Sequence, residues 1–161
     1  MRLYVLRHAD AVESPYYTDA ERPLSDLGRR QTHAVARFLL SHQIKPHLIL
    51  TSPFLRAKET ADIVKESLTI EECITTHALA SGAGLRECLK EINGHPLPSV
   101  LLVGHEPLMS GLVSILTGGD EQFRVDMGKA ALACLESRLP AKKGHAVLLW
   151  LLPVSLAENL R

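Results

Sequence analysis

"LYVLRHADA", residues 3–11, is the stretch that decides the fold. Its first four residues are an unbroken apolar run, which is typical of a strand that is covered on both faces. Where this strand should end, the sequence places Arg7 and His8, a cation beside a titratable ring. Both groups are costly to bury in an apolar interior. We therefore expect them to face a shared anion at the end of the strand.

Strand and helix patterns alternate along the rest of the chain. "HLILTS" and "SVLLVGH" predict two more buried strands, whereas residues 69–84 are weakly patterned and predict a connection. "AALACLES" and "HAVLLWLL" predict two final strands that pair as an antiparallel hairpin at one edge. Helices are predicted after the N-cap Ser25, from about Phe54 behind Pro53, around Leu85 to Ile92, and from Pro107 to about Thr117. This alternation predicts an α/β fold, a three-layer α/β/α sandwich with a mostly parallel central sheet and an antiparallel edge strand.

Composition limits the classes of partner. The 161 residues hold 18 basic and 18 acidic side chains, so net charge provides no global attraction to nucleic acid or to a membrane surface. The three cysteines form no CxxC pair, which fits a reducing compartment. The sequence has no secretory signal, and its longest apolar stretch is too short to span a bilayer. These features predict a soluble, cytoplasmic protein with one domain over residues 1–161, and they predict no particular oligomeric state.

The residues that could take part in a reaction follow the ends of three predicted strands. The first strand ends on "RHADA", the second runs into "TSPFLRAKET" and the third runs into "GHEPLMSG". In open α/β sheets, ligands bind beyond the carboxyl ends of the strands. We therefore expect Arg7, His8, Arg56 and His105 to gather at one rim of the sheet, with Ser52 nearby.

This predicted rim is suited to an oxyanion. Two arginines provide fork-shaped donors that match phosphate oxygens, and two helix N-termini point the same way. A zinc site is the obvious alternative for clustered histidines, but the chain has no HExxH, no HxH and no Cys/His spacing, so no metal is predicted. It also has no P-loop and no GxGxxG after the first strand.

These residues resemble the histidine phosphatase superfamily, also called the phosphoglycerate mutase-like fold. The Arg-His-Gly signature of that family reads Arg7-His8-Ala9 here, a modest departure at its third position. Among the branches of the family, the chain looks most like the short SixA-type phosphohistidine phosphatases. "RHADA", "ERPLSDLGRRQ", "SPFLRAKET" and "VGHEPLMSGLV" stand in the expected order, and the match spans roughly residues 1–117.

The resemblance implies a role for each matching residue. His8 is expected to be the nucleophile that becomes transiently phosphorylated, Arg7 and Arg56 to clamp the phosphate, and His105 to steady its charge. The family needs no metal and no organic cofactor for hydrolysis.

Two further assignments carry explicit alternatives. Arg22 is expected to reach the pocket from the loop after the first strand, or else to be a surface ion-pair partner of Glu21 or Asp26. Ser52 is expected to donate a hydrogen bond to the substrate, or else to be only the N-cap of the next helix.

The substrate prediction depends on a proton donor. Phosphate esters need an acid to protonate the leaving alcohol, whereas the P–N bond of phosphohistidine is labile. Glu106 is the best-placed candidate general acid and Asp10 is second, but both could instead be helix-start or loop carboxylates. The lack of a dedicated acid favours a phosphohistidine on a protein as substrate. The alternatives are a small-molecule phosphomonoesterase and a non-catalytic phosphate-binding module, which would need only the arginines.

Overall fold

The computed structural model describes residues 1–122 and 124–159. Within these residues, the strands are β1 (Arg2–Arg7), β2 (Leu48–Thr51), β3 (Glu72–Thr75), β4 (Ser99–Gly104), β5 (Leu132–Ser137) and β6 (Ala146–Leu152). The α-helices are α1 (Asp26–Ser41), α2 (Leu55–Leu68), α3 (Leu85–Asn93), α4 (Leu108–Gly118) and α5 (Val154–Glu158). Two short 3₁₀ helices cover Asp19–Glu21 and His77–Leu79.

The strands form one six-stranded sheet in the order β3-β2-β4-β1-β5-β6. The neighbouring pairs among β1 to β4 are parallel, and β5 runs antiparallel to both β1 and β6. The predicted α/β class and the antiparallel pair at one edge are therefore confirmed. The strand that opposes both of its neighbours is β5, one place inside the edge that β6 forms.

The apolar run of β1 divides between the two faces of the sheet. Leu3 and Val5 pack in one core cluster with residues of α3 and α4, such as Leu112. Tyr4 and Leu6 pack in a second cluster with residues of α1, α2 and α5. A strand alternates its side chains between faces, so a continuous apolar run is what a sheet covered on both sides requires. This arrangement is the predicted three-layer sandwich.

Several boundaries differ from the predictions. β3 lies in the segment that was predicted as a connection. It is an edge strand and is mostly exposed, so its sequence has no apolar pattern that predicts a strand. Helix α2 begins at Leu55 with Phe54 as N-cap, and α4 begins after Pro107, so neither Pro53 nor Pro107 is the first helical residue. The N-cap role of Ser25 is confirmed, since its Oγ accepts a hydrogen bond from the Gly28 N–H at 3.0 Å.

Helix length and cysteine burial are two further features of the fold. Among the described residues, none of the helices is both long enough and apolar enough to cross a lipid bilayer. Cys73, Cys88 and Cys134 are free thiols, and Cys88 and Cys134 are buried.

Candidate active site

Three adjacent strands end at one rim of the sheet and hold the predicted residues there. β1 lies beside β4 with Arg7 opposite Gly104, and the next backbone N–H, that of His8, donates to the Gly104 carbonyl at 3.0 Å. On the other side of β4, the Ser52 N–H donates to the Val103 carbonyl at 3.0 Å. His8, Ser52 and His105 therefore follow the ends of three neighbouring strands. The imidazole rings of His8 and His105 are close, with their centroids 4.9 Å apart.

The imidazole of His8 is held by its neighbours at both nitrogens. Its Nδ1 lies 2.8 Å from the Ala9 carbonyl oxygen, which can only accept, so Nδ1 carries the hydrogen. Its Nε2 therefore has a lone pair, and the Nε–H of Arg56 donates to it at 3.2 Å. The hydrogen bond from Nδ1 to a backbone carbonyl thus fixes the tautomer of His8.

The surroundings keep both histidines neutral. Burial lowers the pKa of His8 to about 4, and the positive charges of Arg56 and Arg7 act in the same direction. Burial also lowers the pKa of His105 to about 3, with further contributions from His8 and Arg56. The arginines disfavour the protonated form of His8, but desolvation is the larger cause.

Ser52 contacts His105 from the end of β2. Its Oγ lies 2.7 Å from His105 Nε2 and accepts a hydrogen bond from the Phe54 N–H at 3.2 Å. Ser52 is fully buried, and a hydroxyl has one hydrogen to donate. Donation to His105 Nε2 satisfies that hydrogen and leaves the hydrogen of His105 on Nδ1. The alternative that Ser52 is merely the N-cap of α2 is wrong, because the backbone places Phe54 in that position.

Three buried side-chain nitrogens have no hydrogen-bond partner within residues 1–122 and 124–159: Nε of Arg7, Nε of Arg22 and Nδ1 of His105. All three belong to side chains that the sequence assigned to the site. A buried donor without a partner costs about 1–3 kcal/mol, so native proteins rarely leave one without a reason. An oxyanion that accepts from these groups is such a reason.

The remaining contacts of the arginines fix their position. Arg7 donates from Nη1 to the Met127 carbonyl at 3.0 Å. Arg22 Nη1 lies 3.7 Å from Asp19 Oδ1, so its ion-pair partner is Asp19, not Glu21 or Asp26 as the surface alternative proposed. Arg22 is only partly exposed at its side chain, 25%, which fits a group directed toward the site.

Comparisons of sequence identify the family. A sequence model of the Histidine phosphatase superfamily (branch 1) matches residues 3–82. The chain is 29% identical over 124 residues to Phosphohistidine phosphatase SixA of Escherichia coli (strain K12), covering 74% of this chain and 76% of that protein. The chain belongs to the histidine phosphatase superfamily.

Two solved structures have the same fold as this histidine phosphatase. The protein histidine phosphatase SixA complexed with tungstate aligns with a TM-score of 0.87 at 23% identity, covering 96% of this chain and 98% of that one. A mycobacterial glucosyl-3-phosphoglycerate phosphatase aligns with a TM-score of 0.71 at 20% identity, covering 91% and 96%. The phosphoglycerate mutase-like architecture is thereby confirmed.

Ala9 stands where the family signature has glycine, and this histidine phosphatase accommodates its methyl group. The backbone of Ala9 is not in the left-handed region, so a side chain adds no strain there. Ala9 is fully buried, and its N–H donates to Thr60 Oγ1 at 3.3 Å.

Glu106 follows His105 but turns its carboxylate to the start of α4. The N–H of Ser110 donates to Oε1 at 2.9 Å, and the Ser110 hydroxyl donates to Oε2 at 2.6 Å. Both oxygens thus accept hydrogen bonds, as expected of a carboxylate at a helix N-terminus. This arrangement favours the helix-start alternative over the general acid. Asp10 is similarly engaged, with Oδ1 2.6 Å from Lys129 Nζ and Oδ2 accepting from Ser25.

Two residues of the site were missed by the sequence analysis. Asp19 contacts Arg56 and Arg22, and the Asp19–Arg22 spacing of three residues, which suits an ion pair, was the available signal. The ring of Phe54 lies 5.1 Å from His105 and 5.2 Å from Arg56 Cζ. Within the described part of this histidine phosphatase, no three His, Cys, Asp or Glu side chains cluster closely enough to hold a metal ion.

Proposed function

We propose that this histidine phosphatase hydrolyses phosphohistidine on a protein through a covalent phospho-His8 intermediate. The observation that carries the proposal is the neutral His8, whose Nε2 lone pair lies among cationic and polar groups with buried, unpartnered nitrogens. A neutral imidazole at pH 7 is a competent nucleophile, and phosphoryl transfer depends mainly on positioning and charge stabilisation.

The proposed reaction has two displacements. His8 Nε2 attacks phosphorus, the P–N bond of the substrate breaks, and the leaving imidazole keeps the electron pair and takes a proton from water. Water then attacks the phosphorus of phospho-His8, so that the P–Nε2 bond breaks and inorganic phosphate leaves. The water proton passes to solvent, and Nε2 regains its lone pair. Arg7, Arg56, Arg22 and the Nδ1–H of His105 are proposed to bind the phosphoryl oxygens in both steps.

The engagement of the carboxylates supports phosphohistidine over an ester. The oxygens of Glu106 accept from Ser110, and those of Asp19 lie against Arg56 and Arg22. Carboxylates held in this way accept hydrogen bonds and do not protonate a leaving alcohol. A phosphorylated imidazole needs less of that help, and the SixA relative from Escherichia coli is named for this activity.

The loop beside the site also favours a protein substrate. Tyr16 is 92% exposed and Tyr17 is 45% exposed, and they lie shortly before Asp19 in the chain. Exposed aromatic residues are enriched at protein–protein interfaces. A small-molecule phosphomonoesterase is the second candidate, favoured by the fold of the glucosyl-3-phosphoglycerate phosphatase.

The test begins with turnover of para-nitrophenyl phosphate by the wild type and by His8→Ala, with His33→Ala as control because His33 is an exposed histidine on α1. We expect His8→Ala to abolish turnover and His33→Ala to retain it. Comparison of kcat/KM on a phosphohistidine peptide and on sugar phosphates then tests the substrate class. A large preference for sugar phosphates would replace the proposed substrate, and no turnover of any phosphorylated compound would make the protein a binding module.

A further inference from the structure

Asp19 begins the 3₁₀ helix Asp19–Glu21 and holds one edge of the Arg56 guanidinium. Its backbone carbonyl accepts from Arg56 Nη1, and its carboxylate Oδ2 accepts from Arg56 Nη2 at 3.2 Å. Two contacts from one residue to the two terminal nitrogens fix the plane of the guanidinium group. Asp19 thus determines how Arg56 is rotated, although the two residues belong to different elements.

The third nitrogen of Arg56 is the one that meets the proposed nucleophile. Its Nε–H donates to His8 Nε2 at 3.2 Å. Because the guanidinium is planar and rigid, fixing Nη1 and Nη2 also fixes the direction of the Nε–H bond. The same carboxylate extends to a second cation, since its Oδ1 lies 3.7 Å from Arg22 Nη1. One exposed side chain therefore contacts two arginines, one of which, Arg56, donates to His8.

Burial makes this support necessary. The side chain of Arg56 is 6% exposed, whereas that of Asp19 is 59% exposed. The face of Phe54 lies 5.2 Å from Arg56 Cζ and restricts the guanidinium without donating or accepting a hydrogen bond. In the described part of the chain, Asp19 is the carboxylate that forms an ion pair with Arg56. Without it, a buried cation loses its partner and its orientation together.

We propose that Asp19 is a positioning residue for phosphoryl transfer, acting on the reaction through Arg56. The inference rests on the proposed function of His8 and Arg56, and it goes beyond it by assigning a role to a loop residue that touches none of the reacting atoms. The loop after β1, which contains Asp19, then contributes to catalysis, because its position sets the orientation of Arg56 and thereby the rate of phosphoryl transfer.

A double-mutant cycle tests the coupling. We expect Asp19→Ala to lower kcat on para-nitrophenyl phosphate by about 10- to 100-fold, a range typical of misplaced catalytic groups, with a smaller change in KM. Asp19→Asn should recover part of the loss, because its amide oxygen can still accept from Arg56. Adding Asp19→Ala to Arg56→Ala should cost much less than Asp19→Ala costs the wild type, because only the weaker contact of Asp19 with Arg22, at 3.7 Å, is left to lose.

Glu21→Gln is the matched control. Glu21 is an exposed carboxylate of the same short helix, and its Oε2 accepts hydrogen bonds from the N–H and the hydroxyl of Thr18. We expect this variant to retain wild-type kcat. Losses that add in the Asp19→Ala/Arg56→Ala double variant, or equal kcat in Asp19→Ala and Glu21→Gln, would overturn the inference.

A second readout does not depend on turnover. The ¹⁵N resonance of His8 Nε2 should shift in Asp19→Ala and stay unchanged in Glu21→Gln, because only the first substitution releases the Arg56 Nε–H contact. An unchanged His8 resonance in Asp19→Ala overturns the role of Asp19 even in an inactive preparation. A wild type that turns over no phosphorylated compound instead overturns the proposed function, and the resonance still decides the role of Asp19.

Discussion

His8 illustrates how burial and hydrogen bonding select one form of a residue. Burial lowers its pKa to about 4. The Ala9 carbonyl oxygen, 2.8 Å from Nδ1, accepts a hydrogen bond that keeps the hydrogen on Nδ1. The two effects are separate, since the first excludes the imidazolium and the second chooses between the neutral tautomers. Together they leave one lone pair, on Nε2, across the physiological pH range.

Ser52→Ala tests the tautomer of His105. The substitution removes the hydroxyl 2.7 Å from His105 Nε2, so that the hydrogen is no longer directed to Nδ1. We expect kcat to fall by about tenfold, roughly 1.4 kcal/mol, with the ¹⁵N spectrum of His105 changing toward a tautomer mixture. Ser114→Ala is the control, because Ser114 is a buried serine whose hydroxyl donates to Asp120. Unchanged kcat and ¹⁵N spectra in Ser52→Ala would contradict this assignment.

Glu106→Gln tests the remaining candidate acid. Glutamine keeps an oxygen that can accept from Ser110, so the start of α4 should persist with a loss of stability within about 1 kcal/mol. We expect nearly wild-type kcat on both a phosphohistidine peptide and a phosphate ester. A loss confined to the ester would instead assign Glu106 as the general acid.

At the scale of elements, the start of α1 is pressed against the loop after β1. A Cβ on Gly28 would lie 1.9 Å from the Asp10 carbonyl oxygen, which is backbone and cannot move independently. The Ser25 N–H also donates to that carbonyl at 3.0 Å. This close approach sets the position of Asp10 two residues beyond His8.

Gly28→Ala should therefore lower the free energy of unfolding by about 1–3 kcal/mol, as overpacking does elsewhere. Gly111→Ala in α4 is the control, because a Cβ there meets only Leu85 at ordinary contact distances of 3.5 Å and beyond. The control should be neutral or stabilising, since alanine favours a helix interior over glycine. Urea unfolding of both variants measures the difference, and equal stabilities would contradict the packing argument.

An element or a contact could be predicted where its residues form a recognisable pattern in the sequence. The buried strands β1, β2 and β4 were predictable, because each is an uninterrupted apolar run followed by polar residues. β3 was not, since an exposed edge strand needs no apolar pattern. The gathering of His8, Arg56 and His105 could be expected because each follows the carboxyl end of a predicted strand of a mostly parallel sheet. The contact of Asp19 with Arg56 did not, because loop conformation is set by side-chain contacts that have no sequence period.

At the scale of the whole molecule, two buried neutral histidines make stability depend on pH. In the unfolded chain a histidine binds its proton near pH 6.5, whereas folded His8 binds it near pH 4. Between these values the unfolded state holds more protons, so stability falls as pH drops from about 6.5 to 4 and does not fall further through this group. His105 acts in the same direction, with a folded pKa of about 3.

We expect His8 to account for about 2 kcal/mol of stability lost between pH 7 and pH 5. His8→Asn should accordingly show a smaller decrease over this interval than the wild type, whatever its stability at pH 7. Urea unfolding at the two pH values measures both decreases. Parallel pH dependence in the two proteins would contradict the proposed burial of a neutral ring.

The backbone of His8 is held from both sides by distant parts of the chain. Its N–H donates to Gly104, and its carbonyl accepts from Ala130 at 3.2 Å. The ribosome makes His8 well before Ala130, because 122 residues separate the two positions. Until Ala130 is made, the His8 carbonyl lacks this hydrogen bond. A fragment that ends before β5 therefore cannot hold the His8 backbone from this side.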